Sequence, residues 1–173
     1  MGASYNRGKS NQVVSTPKVF LEAVEKRFGK ITHDLAANET NAVVKRHYFA
    51  EGVDSLSLEW KEISNLKGWN WLNPPYSNIG EWVKKCYEQT IKHNVKIIVL
   101  IPYSGSTKWW RDFVHAKAVV IPIGPKRITF VGQKNPYPKD LWLVVYCHEM
   151  TGVCEAWDWT KDVPKTMQPE FGG

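Results

Sequence analysis

The run Val95-Lys96-Ile97-Ile98-Val99-Leu100-Ile101 narrows the choice of fold more than any other part of the chain. A β-branched stretch this apolar reads as a strand buried on both faces, and such strands belong to sheets covered by helices on each side. It is far shorter than the run of about 18 apolar residues that a membrane span needs. The flanking patterns agree with an α/β sheet. Phe20, Val24 and Phe28 recur at four-residue spacing beside Leu21, which predicts a helix opened by Ser15-Thr16-Pro17 and closed at Gly29. Ile31 to Ala36 reads as a short strand, and Trp69 to Leu72 as another. Ile79, Trp82, Val83, Cys86 and Ile91 predict a helix over 79–93. A helix around 106–116 and a strand from Ala118 to Ile123 continue the alternation. Ile128 to Val131, Leu141 to Cys147 and Val153 to Trp159 then read as strands without helices between them. The expectation is a mostly parallel sheet with an antiparallel C-terminal edge. It would occupy a single domain over 13–162, with a flexible basic tail over 1–12 and a C-terminal tail over 163–173.

Composition excludes some functions and leaves others open. The net charge of +6 favours a polyanionic partner without requiring one. Nine tryptophans imply a heavily aromatic core or surfaces that stack on planar ligands, and core is the expectation for most of them. Three cysteines without a Cys-x-x-Cys pair suit a reducing compartment, hence the cytoplasm. The histidines lack metal-ligand spacing, so no metal is expected. The polar start of the chain does not resemble a secretory signal, and no membrane association is expected.

Asn73-Pro74-Pro75-Tyr76 carries the chemistry. It ends an apolar strand and precedes an amphipathic helix, and ligands of open α/β sheets bind beyond the carboxyl ends of strands. Pro74 and Pro75 cannot continue the sheet and stiffen the turn, fixing the Asn73 amide and the Pro74 carbonyl. Two such oxygens can grip the two N–H bonds of one exocyclic amino group. In adenine that nitrogen is a poor nucleophile because its lone pair is delocalised into the ring. Two acceptors favour a pyramidal nitrogen whose lone pair attacks a methyl donor in line, with positioning supplying most of the acceleration. Tyr76 is suited to stack on a base taken out of the duplex. The alternative is a rigid turn or a proline-rich ligand motif.

The chain resembles the small phage-type DNA adenine-N6 methyltransferases, related to the Dam enzymes, from about Thr16 to Trp159. The landmarks are Thr16-Pro17, Asp34-Leu35-Ala36-Ala37, Asn41-Ala42, Asp54-Ser55-Leu56 with Trp60, Asn73-Pro74-Pro75-Tyr76-Ser77 with Trp82, Trp109-Trp110 and Arg127-Ile128-Thr129-Phe130. The resemblance implies a Rossmann-like methyltransferase sheet and S-adenosyl-L-methionine as cofactor. It places Asp34 by the cofactor's methionine part, with Thr16 and Pro17 closing over it. Asp54 would accept from the cofactor's adenine amino group, Leu56 would pack on that ring, Ala36 and Ser55 would be further cofactor contacts, and Asn73 would border cofactor and substrate alike. Where most such enzymes carry glycines after the first strand, this chain has Asp34-Leu35-Ala36-Ala37-Asn38. Bland alternatives exist too: Asp34 as a cap, Asp54 as a turn residue and Thr16-Pro17 as a plain helix start.

Double-stranded DNA is the expected partner, and there is little room for a separate recognition domain. Lys126, Arg127 and Lys134 in one basic loop, Lys45 and Arg46 in another, and Lys108 and Arg111 beside the paired tryptophans are the candidate phosphate contacts. Arg127 has an alternative structural role beside Phe130. The expected activity is methyl transfer to adenine N6 in DNA by base flipping, in a restriction-modification or related phage setting; a homodimer is compatible with it. A methyltransferase acting on RNA or protein glutamine is one alternative. A non-catalytic DNA-binding module on a methyltransferase fold is another.

Overall fold

The computed structural model describes residues 14–37, 42–44, 54–65, 67–148 and 150–165, the side chains of 63–65 excepted. Its elements in chain order are α1 (Lys18–Phe28), β1 (Ile31–Asp34), β2 (Trp69–Leu72), α2 (Ile79–His93), β3 (Ile97–Pro102), α3 (Lys108–Phe113), β4 (Val119–Pro122), β5 (Leu141–Tyr146) and β6 (Gly152–Val153). They build one six-stranded sheet in the order β1-β2-β3-β5-β4-β6. All six residues of β3 are buried. Ile97, Val99 and Ile101 pack on one face with Trp82, Val83 and Cys86 of α2 and Trp110 of α3. Ile98 and Leu100 pack on the other with Phe20 and Val24 of α1 and with Trp157 and Trp159. This is the two-sided cover that the run in β3 demands.

Strands β1, β2 and β3 are mutually parallel. β5 runs against both β3 and β4, while β6 is parallel to β4. The expected antiparallel edge is therefore corrected: the reversed strand lies inside the sheet, and the edge beyond β4 is formed by a parallel strand. Val153 to Trp159 shrinks to the two residues of β6 and a single bridge from Ile123 to Trp157. Ile128 to Val131 is not a strand. Its alternation of burial is real, since Ile128 and Phe130 enter the α1-side core. Its backbone bonds, however, go to scattered partners: the Val131 N–H donates to the Ser15 carbonyl and the Ile128 carbonyl accepts from Tyr137. An alternating apolar loop lying on a core has the same pattern as a strand. The helix around 106–116 is shorter than expected, at Lys108–Phe113, and β1 stops at Asp34.

Residues between β1 and β2 that are described form only 3-10 turns, Ser55–Ser57 and Trp60–Asn65. The Gln89 side chain of α2 accepts from the Trp60 N–H at 2.6 Å, and the Trp60 indole donates to the Ser55 carbonyl. Gly68 enters β2 at φ +128°, where a Cβ would lie 2.6 Å from the Lys30 carbonyl oxygen and from Thr32 Cγ2. Only glycine lets β2 dock on β1 there.

Six of the nine tryptophans are buried and the other three are half-buried. Phe20 is fully buried and meets Trp71, Trp157 and Trp159 at ring-centroid distances of 6.4, 6.0 and 5.3 Å. Phe20→Ala should therefore cost about 3–5 kcal/mol. Urea unfolding checks this, with a lowered midpoint at unchanged slope as the expected outcome.

Candidate active site

The carboxyl ends of β1, β2, β3 and β4 open onto one rim, because these strands share a direction. Asp34 ends β1, Asn73 follows β2, Tyr103 follows β3, and the loop leaving β4 returns over the same rim to Asp140. The turn from Asn73 to Tyr76 stands between two hollows. Asn73 lines a narrow cavity with Val14, Thr16, Asp34, Ala36, Val43 and Trp71. Tyr76 lines an open cleft of about 600 Å³ with Tyr103, Trp109, Tyr137, Lys84 and Lys139 among its walls.

Asn73 is held by its own amide. Its Nδ2 donates to the Val14 carbonyl at 3.1 Å, which leaves Oδ1 as the acceptor end. The strap Val14–Thr16 is in turn fixed by the bond from the Val131 N–H to the Ser15 carbonyl. Two segments far apart in sequence therefore orient the amide.

Asp34 is 4% exposed. Its Oδ2 accepts from the Val43 N–H at 3.0 Å and its Oδ1 from the Ala36 N–H at 3.3 Å. Burial outweighs those two bonds and pushes its pKa up to about 6. Among the described residues those two N–H groups are its donors, and a carboxylate has lone pairs for about four. Thr16 is also buried, and its hydroxyl has no hydrogen-bond partner among the described residues. Pro17 begins α1 in an extended conformation, as its helix-start role requires.

Tyr76 is half-buried, meeting Tyr137 edge-on at 5.4 Å. Burial raises the pKa of its hydroxyl well above the usual tyrosine value, and that hydroxyl has no partner among the described residues. Across the cleft, Tyr103 is 54% exposed and stacks on Trp142 at 4.5 Å and 24°. Gly105 lies so close to the Tyr103 ring that a Cβ there would collide with it.

Other expected site residues are placed differently. Asp54 is exposed, and its Oδ1 accepts from the Leu56 N–H at 3.0 Å, capping the turn Ser55–Ser57. Ser55 is buried and Leu56 packs on the α2-side core. Lys108 and Arg111 both pair with Asp112, so one carboxylate offsets part of their charge. Arg127 donates to the Pro138 carbonyl and to Asp140, closing its own loop. This is the structural alternative left open by the sequence. Lys126 and Lys134 are exposed in that loop. Lys45 and Arg46 lie outside the described residues. Tyr103, Tyr137, Val43 and the Val14 carbonyl were not anticipated. Tyr137 sits in Asn-Pro-Tyr-Pro, a stiff aromatic turn that was a usable signal. Backbone partners leave no side-chain signal at all.

Burial of Asp34 has a consequence for stability. Its folded pKa lies above its unfolded value of 3.8, so the favourable contribution of its proton is fully present below about pH 4 and lost as pH rises through about 6. Compared with Asp34→Asn, the wild type should lose on the order of 3 kcal/mol of unfolding free energy between pH 4 and 7. Urea unfolding of both proteins across that range checks it.

Residues 4–140 match the family described as DNA N-6-adenine-methyltransferase (Dam). The DNA N-6-adenine-methyltransferase of Escherichia phage T1 is 36% identical over 107 residues, 62% of this chain and 42% of that protein. That of Haemophilus phage HP1 is 27% identical over 136 residues, covering 78% of this chain and 75% of the relative. The match to the T1 protein thus spans less than half of that protein's length.

Proposed function

The chain belongs to the Dam family of DNA N-6-adenine-methyltransferases, and we propose that it methylates N6 of adenine in double-stranded DNA with S-adenosylmethionine as donor. The observation that carries this reading is the clamped Asn73 amide. With Nδ2 committed to Val14, Oδ1 is the acceptor, and the proline-stiffened turn holds the Pro74 carbonyl beside it in sequence. Those oxygens take the two N–H bonds of the target amino group and favour the pyramidal nitrogen that attacks. Tyr76 lies under the base as it leaves the stack. No residue of the rim needs to be a strong base, because positioning carries most of the rate.

The narrow cavity suits the amino-acid end of the cofactor. Asp34 has lone pairs left for an ammonium group, the Thr16 hydroxyl lacks a partner, and Ala36 keeps that wall small. When bound, S-adenosylmethionine supplies the electrophilic methyl group. Ser55, Leu56 and the outer oxygen of Asp54 are the residues for its adenine end, and Pro17 sets the angle of the Thr16 strap. The five mutually parallel strands with their ligand rim at the carboxyl ends support a Rossmann-like methyltransferase sheet. DNA lies along the cleft, with Lys84 and Lys139 at its walls and Lys126, Lys134, Lys108 and Arg111 as further phosphate contacts. The setting is the cytoplasm of a host cell.

Asn73→Ala should lower kcat by roughly a hundredfold or more, the size of effect seen when one preorganised hydrogen-bonding group is removed. Transfer of labelled methyl to mixed-sequence DNA checks this; a variant as active as wild type removes Asn73 from the chemistry. Tyr103→Ala should weaken DNA binding by roughly 5- to 150-fold, as for loss of one stacked base. Its salt dependence should be unchanged, since no phosphate contact is lost. Fluorescence anisotropy over a salt series reads both quantities.

A further inference from the structure

We propose that the indole N–H of Trp71 anchors the carboxylate of the cofactor's amino-acid end, a role that rests on the reading of the Asp34–Asn73 cavity given above. Trp71 is fully buried in β2, two residues before Asn73 and so on the same side of the strand. Its Nε1 donor has no hydrogen-bond partner among the described residues. Four other tryptophan donors are satisfied. Trp60 donates to Ser55, Trp69 to Phe28, Trp157 to Asp162 and Trp159 to Lys126 at 2.6–3.0 Å. An orphaned buried donor is expensive, and a fold that satisfies its neighbours yet leaves this one unpaired is holding it for a ligand.

Its surroundings define the ligand. Trp71 and Thr16 both line the narrow cavity, and both carry an unpartnered buried polar atom. Asp34, its carboxylate accepting only from two backbone N–H groups among the described residues, lines it too. Two residues with unpartnered donors and one with an anionic acceptor line one cavity, a set that complements an α-amino acid head. The carboxylate takes the Trp71 N–H and the Thr16 O–H, and the ammonium donates to Asp34. The cavity now has about 10 Å³ of room, near that of one water. Seating the head therefore requires Thr16 to move outward from β2 while the Val14 carbonyl keeps its bond to Asn73.

Trp71→Phe keeps a buried ring and deletes the donor. Calorimetry on the full chain with S-adenosylhomocysteine, whose amino-acid end is the same, should show binding weakened roughly tenfold or more, the range for a bond to a charged group. For the decarboxylated form of S-adenosylmethionine, wild type and variant should bind alike. In the wild type, the indole ¹⁵N–¹H signal of Trp71 should move on adding S-adenosylhomocysteine and stay still with the decarboxylated compound, a readout that does not depend on the variant folding. An equal loss for both compounds, no loss for either, or an unmoved Trp71 signal overturns the proposal. A wild type that binds neither compound overturns instead the cofactor reading on which it rests.

Discussion

Everything in this protein follows from the burial of β3 on both faces. Six consecutive buried residues cannot satisfy their surroundings with one layer of cover, so α2 and α3 take the side of Ile97, Val99 and Ile101 while α1 and the segment around Trp157–Trp159 take the side of Ile98 and Leu100. With both faces filled, polar chemistry has only the strand ends to occupy. The parallel direction of β1, β2, β3 and β4 puts four carboxyl ends on one rim, where Asp34 and the Asn73–Tyr76 turn meet.

At that rim the fold spends stability to create function. Asp34 is a carboxylate kept out of water that accepts from the Val43 and Ala36 N–H groups, and among the described residues Thr16, Trp71 and Tyr76 each carry a buried polar atom without a partner. Such groups are tolerable only where the rest of the core is tight, and here the aromatic cluster around Phe20 lies directly behind β2. The proline turn separates a polar cavity suited to a zwitterion from a wider aromatic cleft suited to a nucleobase. Asn73 borders the first and Tyr76 the second. A reaction that joins two reactants needs that arrangement more than it needs a strong base.

The readable parts of the sequence were the local ones. Strand β2 and helix α2 fall where the apolar spacing puts them, and Asn-Pro-Pro-Tyr lies between them as its neighbours in the chain imply. What could not be read is set by distant contacts. Insertion of β5 between β3 and β4 is a matter of pairing partners, and its alternation fits an edge equally well. Ile128 and Phe130 mimic a strand because a loop lying on a core alternates too. The bond of Arg127 to Asp140, thirteen residues on, leaves no trace in the local sequence. The Val14 carbonyl that orients Asn73 is a backbone atom 59 residues away, with no side chain to announce it.

On the proposed function, the clamped Asn73 amide selects the N6 amino group of adenine in DNA. The most direct test is to incubate the purified chain with methyl-labelled S-adenosylmethionine and mixed-sequence duplex DNA, digest the DNA to nucleosides and separate them. All of the label should co-migrate with N6-methyldeoxyadenosine. Label in N4-methyldeoxycytidine or 5-methyldeoxycytidine, or label found only on added RNA or protein, would contradict it.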